Sequence, residues 1–327
     1  MNDPRHVPGA DTEADYRALR EDAAALDLAR WTVLRLRGPD ARAFLQGMAS
    51  QDLSRLTAGR AAATLFLTEK GRPVALAWVA AAIDRERPDE AAAAGALSGG
   101  GPGGIYYVVA DEGARETLRA HFERFRVMED VEFEGPEGLP RLVGVAGPAR
   151  GRILEDAGGV IHGAVPIHGE PLSFLFLPPD VPAISLPPIA APDALESWRL
   201  AVGLPRTGVD LDPDRIATEL SLDDAISHTK GCYVGQEVVA RTSTRGHVRR
   251  QRVGFRFPWD GALIPRGTEI RAGQAAAGYV TSSAPEPGSS DGLGMGYVSL
   301  DALEGTDPLS ATAGTRSFRI RVSAWPL

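Results

Sequence analysis

The sequence predicts an α+β protein that ends in an all-β part, on three observations. Helical and strand-like segments alternate over the first two-thirds, a comparable order of elements returns from Arg141, and short strand-like pieces dominate from Gly246 onward. Leu19, Ala23 and Leu26 recur at helical spacing and predict a helix from Ala14 to Ala29. Trp31 to Leu36 reads as a strand stopped by Gly38-Pro39, and Pro39 opens a second helix through Leu45. Ala61 to Leu67 and Pro73 to Ile83 are apolar runs joined by Glu69-Lys70-Gly71-Arg72, a hairpin expected at the centre of a sheet.

The stretch from Pro88 to Gly104 is rich in Ala and Gly and is expected to be a mobile insertion in a loop. A strand follows (Ile105 to Ala110), then a helix with Leu118, Phe122 and Phe125 on one face, then a short strand at Val131 to Phe133. The second series has a strand from Arg141 to Ala146, a helix after Gly147-Pro148, strands near Val160 and at Leu172 to Leu177, and a helix from Asp193 to Val202. Beyond Gly246, the pieces Val253 to Phe257, Thr268 to Ile270, Gly278 to Val280, Met295 to Val298 and Ser317 to Val322 are split by Gly and Pro turns. That texture is the signature of a small β-barrel or sandwich.

Composition excludes several classes. A net charge of −8 over 327 residues argues against a protein built to neutralise nucleic-acid phosphates. One cysteine cannot form an internal disulfide, and the charged, proline-containing start to Asp15 is unlike a signal peptide, so a cytoplasmic location is expected. No apolar run approaches the roughly 20 residues of a membrane helix. A single thiol cannot hold an iron-sulfur cluster alone, and the six histidines lack paired spacing, so no metal site is expected.

The lone cysteine lies in the octapeptide Lys230-Gly231-Cys232-Tyr233-Val234-Gly235-Gln236-Glu237. A cation, an amide and a carboxylate surround it, which points to a reactive or ligand-facing thiol, with a buried structural cysteine as the alternative. Gly235 onward reads as the first turn of a helix, and a helix start together with Lys230 is an environment that lowers a thiol pKa. His228 lies four residues from Cys232, but Gly231 breaks the helix that would align them. Tyr233 either stacks on a planar ligand or fills the core, and the core reading is favoured.

The second cluster is Glu196-Ser197-Trp198-Arg199 with Gly203 to Asp210 after it. With Asp193 as helix cap, Glu196 and Arg199 share one face, either as a weak surface ion pair or with Glu196 offering two acceptor oxygens to adjacent N–H donors of a heterocycle such as a pterin.

With Thr218-Glu219-Leu220, Arg241, Leu36 to Ala41, Phe44 to Gln46, Gln51 to Leu53 and Gly278 to Ser282 added, these residues resemble the folate-binding YgfZ proteins. Those proteins have iron-sulfur assembly relatives and belong with the glycine-cleavage T-protein. The resemblance implies two interleaved ferredoxin-like modules within 1–245, with approximate divisions near 50 and 140. It also implies a β-barrel over 246–327, the whole forming a clover-leaf around a tetrahydrofolate channel. Glu196 matches the pterin-binding glutamate, and Lys230 to Glu237 match the signature with the functional cysteine. Cys232 and Lys230 are thus the candidate reactive pair. Glu196, Arg199, Tyr233, Gln236, Glu237 and Arg241 are the candidate folate contacts, with Arg199, Lys230 or Arg241 meeting the glutamate tail.

One departure separates the chain from the aminomethyltransferases of that superfamily, which carry paired aspartates just after the hairpin glycine. Here Gly71 is followed by Arg72-Pro73-Val74-Ala75-Leu76-Ala77, without a carboxylate. A positioned carboxylate contributes about 10²- to 10⁴-fold in proton transfer, so a poor aminomethyltransferase is expected. The reading is a tetrahydrofolate-binding protein that supports iron-sulfur cluster assembly or repair in client proteins through Cys232. The alternatives are a folate-dependent one-carbon transferase and a tRNA-modification-associated binding protein whose footprint is Arg241 to Arg252.

Overall fold

The computed structural model describes residues 10–57, 59–82, 104–135, 139, 141–156, 161–163, 168, 172–177, 186–245 and 248–327. It is a mixed α/β structure with two antiparallel sheets and a closed six-stranded barrel. Val160 and residues 88–103 of the expected insertion lie outside the described residues.

The first sheet runs β3 (Ala61–Leu67), β4 (Pro73–Ala81), β5 (Tyr106–Ala110), β2 (Thr32–Arg37), β6 (Glu132–Glu134). The expected hairpin forms, but β3 is an edge strand and not the sheet's centre. Its apolar character has another cause. Ser50 covers the edge, its backbone N–H donating to the Leu65 carbonyl and its hydroxyl accepting from the Leu65 N–H, so β3 is buried on all sides. Helices α2 (Ala41–Met48) and α3 (Arg115–Phe125) pack on this sheet through Phe44, Leu45, Leu118 and Phe122.

The second sheet runs β1 (Ala24–Asp27), β7 (Arg141–Ala146), β9 (Leu172–Leu177), β8 (Ile161–Gly163), with α4 (Arg150–Asp156) after β7. Ala24 pairs with Ala146, so the amino-terminal strand joins a sheet otherwise built from residues after 140. The expected helix over 14–29 is therefore corrected to α1 (Ala10–Glu21) followed by a strand. Leu26 and Leu28 face the main apolar cluster while Ala25 faces a second one, an alternation that strand pairing satisfies and a helix would not.

The barrel closes in the order β10 (Arg250–Pro258), β13 (Asp291–Ser299), β12 (Ala275–Pro285), β11 (Glu269–Ala272), β14 (Leu309–Ala313), β15 (Arg316–Ser323), which pairs back onto β10. β14 escapes the sequence reading because Leu-Ser-Ala-Thr-Ala offers two small apolar residues and one leucine. The largest apolar cluster spans both sheets, α5 (Pro192–Ala201) and the barrel residues Ala284, Leu293, Met295 and Tyr297. Trp78 lies 5.3 Å from Phe174, and Tyr107 stacks on Phe176 at 4.6 Å, ring contacts that join the two sheets.

Candidate functional site

Residues 230–235 of the octapeptide form an irregular loop after the Asp223–Ala225 turn, and Gln236 and Glu237 open α6 (Gln236–Arg245). Lys230 fixes it from below. Its buried ammonium donates to the carbonyls of Gln46, Ala49 and Gln51 at 2.7, 2.6 and 3.0 Å, neutralising the carboxy-terminal end of α2. The ammonium also lies 5.1 Å from the centre of the Tyr233 ring. Burial pushes Lys230 down to about 8, against the opposing influence of the Asp52 carboxylate. The expectation that Lys230 supplies a free cation to the thiol or to a ligand tail is therefore corrected, because its donors are already committed to three carbonyls.

The backbone holds the loop as well. Val234 donates its N–H to Gly47, and Ser227 donates to Ser50. Gly235 has φ +86°, and a Cβ there would lie 2.6 Å from the Thr68 carbonyl oxygen, so only glycine lets the hairpin turn come this close. Ala217 closes the arrangement by donating to the Gly71 carbonyl at 2.9 Å.

Cys232 itself is exposed and free, which removes the buried structural alternative. Tyr233 belongs to the main apolar cluster and is 8% exposed, so it is a core residue and not a platform for a planar ligand. Gln236 opens α6 half-buried, and Glu237 and Arg241 are exposed on the same helix. His228 is exposed in the non-helical stretch before the cysteine.

The second cluster is a buried network and not a surface pair. α5 begins at Pro192, so Asp193 sits within the first turn, and Ala191 occupies the cap with its N–H bound to Asp15. Arg199 grips Glu196 with two bonds, Nε to Oε2 at 2.8 Å and Nη2 to Oε1 at 2.5 Å, and donates to Asp210 at 2.8 Å and Ser282 at 3.0 Å. The Arg199 side chain is 4% exposed and that of Asp210 0%, so neither can meet an extended ligand tail, which corrects that expectation for Arg199. Burial alone would lower the Arg199 pKa, but Asp210 and Glu196 outweigh it and raise it. Burial likewise disfavours the Asp210 anion, yet Arg199, Thr281, the Arg206 N–H and Ser282 hold it below the usual carboxylate range.

Glu196 forms the outer end of the network. Its side chain is 19% exposed, and Oε2 also receives Arg206 at 2.6 Å, whose own side chain is 49% exposed. Three of about four lone-pair positions on the carboxylate are thus filled, the outermost by a solvent-facing arginine. The carboxylate edge is taken up by the chain's own Arg199 and Arg206.

The two clusters lie on different elements, connected by the segment 206–219. Along it Tyr279 donates to Asp212, Arg72 pairs with Asp214 at 3.1 Å, and Arg215 with Glu219 at 3.8 Å. Asp212 and its tyrosine had no sequence signal, because the partners lie 67 residues apart. Behind the hairpin turn Ala75 and Leu76 are buried in β4, 0% and 1% exposed, at the positions without carboxylates. Among the described residues no group of three or more His, Cys, Asp or Glu is placed to hold a metal ion, and no helix is long and apolar enough to cross a membrane. The basic run from Arg241 to Arg252 does not form one exposed face, since Arg252 is 1% exposed and donates to the carbonyls of Leu220 and Gly203.

Comparison with known proteins agrees with this architecture. Residues 250–327 match the glycine cleavage T-protein C-terminal barrel domain. An aminomethyltransferase of Rubrobacter xylanophilus is 27% identical over 93% of this chain and 83% of its own length. An uncharacterized protein of Haemophilus influenzae is 24% identical over 71% of this chain and 72% of its own. Among solved structures, the glycine cleavage system aminomethyltransferase T from Bartonella henselae superposes with a TM-score of 0.75 at 18% identity, covering 96% of this chain and 89% of that one. The barrel match and the aminomethyltransferase relatives support a T-protein-like superfamily, and the structural likeness shows the fold.

Proposed function

We propose that the protein binds tetrahydrofolate and, in the manner of YgfZ-type proteins, supports iron-sulfur cluster assembly or repair in client proteins through Cys232. One observation carries the reading: the lone thiol is exposed on a rigidly anchored loop, while the hairpin that bears paired aspartates in aminomethyltransferases presents buried Ala75 and Leu76 instead. The pterin takes the Glu196 carboxylate by displacing Arg206, whose exposed ion pair is worth about 0–1 kcal/mol and is readily exchanged for a better-aligned donor. Arg199 orients that carboxylate from behind with two hydrogen bonds. Glu237 and Arg241 flank the loop from the first turns of α6, with Arg241 the remaining exposed cation for a glutamate tail. Cys232 then acts by thiol exchange with a client or as one ligand to a cluster delivered by it.

Calorimetry with reduced folate tests the anchoring role. Glu196→Ala is expected to weaken binding by about tenfold or more, as loss of a charged hydrogen-bonding partner does, and unchanged affinity would remove the role. Complementation tests the thiol, and full rescue of cluster-enzyme activity by Cys232→Ala would sink that part of the reading. The second reading, a folate-dependent aminomethyl transferase, is favoured by the names of the relatives, and turnover with an aminomethyl-lipoyl donor would establish it.

A further inference from the structure

The described residues include three exposed large apolar side chains, and two of them, Val127 at 81% and Met128 at 91%, are neighbours in the turn after α3. Met128 lines a groove of about 500 Å³ together with Asp40, Phe44, Gly47, Phe125 and Glu129, and Val127 precedes it in the chain. The lining is apolar with two carboxylates and no basic residue. Both carboxylates are fixed in place: Asp40 accepts from the Asp130 N–H at 2.9 Å, and Glu129 accepts from the amides of Val127 and Met128 at 2.9 and 3.1 Å. Among the described residues no cation pairs with either carboxylate of the rim, since the ion pairs there leave out Asp40 and Glu129.

Gly47 links this groove to the cysteine loop. Its carbonyl receives the Val234 N–H at 3.0 Å, and Cys232 is two residues upstream, a separation that chain geometry limits to about 7 Å. Lys230 ties the same loop to the neighbouring Gln46 carbonyl. Gly47 also lies within a helix, where glycine costs roughly 0.5–1 kcal/mol relative to alanine. A Cβ there would meet no atom within 4 Å among the described residues, so none of them requires glycine at this position. A backbone approaching from outside would.

From this we infer that the α2–α3 groove is the docking site for a partner-protein segment that carries an apolar side chain flanked by Lys or Arg, and that it presents the segment to Cys232. The apolar side chain covers Phe44, Phe125 and Met128, the partner cations meet Asp40 and Glu129, and the partner backbone passes over Gly47. The inference rests on the proposed reading of Cys232 as the working thiol, and supplies the surface by which a client is recognised.

The test measures how fast the full-length protein exchanges with short synthetic peptides, each bearing one cysteine activated as an aromatic disulfide. The Cys232 thiolate attacks the peptide sulfur, the S–S bond breaks, and the coloured aromatic thiolate leaves. A peptide with leucine between lysines is expected to react with saturating kinetics, about tenfold faster than versions with glutamate for lysine or serine for leucine, because docking raises its effective concentration. Met128→Ser should remove the advantage while leaving the rate with a small aromatic disulfide unchanged, and Gly47→Trp should remove it by filling the groove. Equal rates for the three peptides, or a full advantage in the serine variant, overturn the inference. Sedimentation at twice the monomer mass that reverts in the serine variant also overturns it, by assigning the groove to a second copy. Folate calorimetry and Cys232→Ala complementation do not involve the groove, so failure here and failure of the functional reading are separable.

Discussion

The Cys232 loop and the Glu196–Arg199–Asp210 network look alike as sequence, each a charged pair beside glycines, yet the fold treats them in opposite ways. In the network three charged side chains face one another, and two of them are buried under the barrel strand that carries Thr281 and Ser282. In the loop the one charged group drawn inward, Lys230, meets carbonyl oxygens and no carboxylate at bonding distance, and the thiol is left outside. A buried arginine needs counter-charges supplied by the fold, whereas a lysine at a helix end can be satisfied by the carbonyls the helix leaves free. One cluster therefore ties α5 to a barrel strand, and the other fixes a surface loop.

The contrast can be broken most forcefully at Asp210. Asp210→Ala removes the fully buried counter-charge of Arg199 and leaves only the partly exposed Glu196, and chemical denaturation should report a loss of about 3–5 kcal/mol. A loss below about 1 kcal/mol would mean the network is solvated. Lys230→Met should cost less, about 2–3 kcal/mol for hydrogen bonds from a charged group. Its pH dependence sharpens the point. Because the folded state depresses Lys230 from 10.5 to about 8, the unfolded chain binds the extra proton between those values. Wild-type stability relative to the methionine variant should therefore rise from pH 8 to 10.5 and stay level below pH 8, and a flat difference would place the ammonium in water. Gly235→Ala, which forces a side chain into φ +86° against the Thr68 carbonyl, should cost about 1–3 kcal/mol in thermal unfolding. Arg206→Ala should change stability by less than about 1 kcal/mol while strengthening reduced-folate binding, since it uncovers Glu196. Cys232→Ser should be the smallest effect, within about 0.5 kcal/mol, which would place the sulfur outside the folding energetics altogether.

Much of the fold was legible in its apolar runs. The strands at Ala61–Leu67, Arg141–Ala146 and Leu172–Leu177 fall where their apolar residues end. Ala24–Asp27 did not, because an alanine-rich stretch favours a helix locally and only the pairing with Val143–Ala146 makes it a strand. The central hairpin became an edge for a similar reason, since Ser50, 15 residues before Leu65, covers β3 while held by Ala225, 175 residues further on. At the candidate site the residue types were legible and their directions were not. Arg199 reads as a ligand contact until Asp210, 11 residues on, and Ser282, 83 residues on, claim its donors.

By itself the sequence determined the chemistry available: one thiol among polar neighbours, a Glu-x-x-Arg pair, glycines where the backbone must turn, and no carboxylate behind the hairpin. Those are covalent facts, fixed by which residues adjoin. The tertiary structure decided which groups face water. Exposure, counter-charge and the direction of a long side chain depend on contacts made across the chain, and those contacts turned Lys230 and Arg199 inward while leaving Cys232 outside.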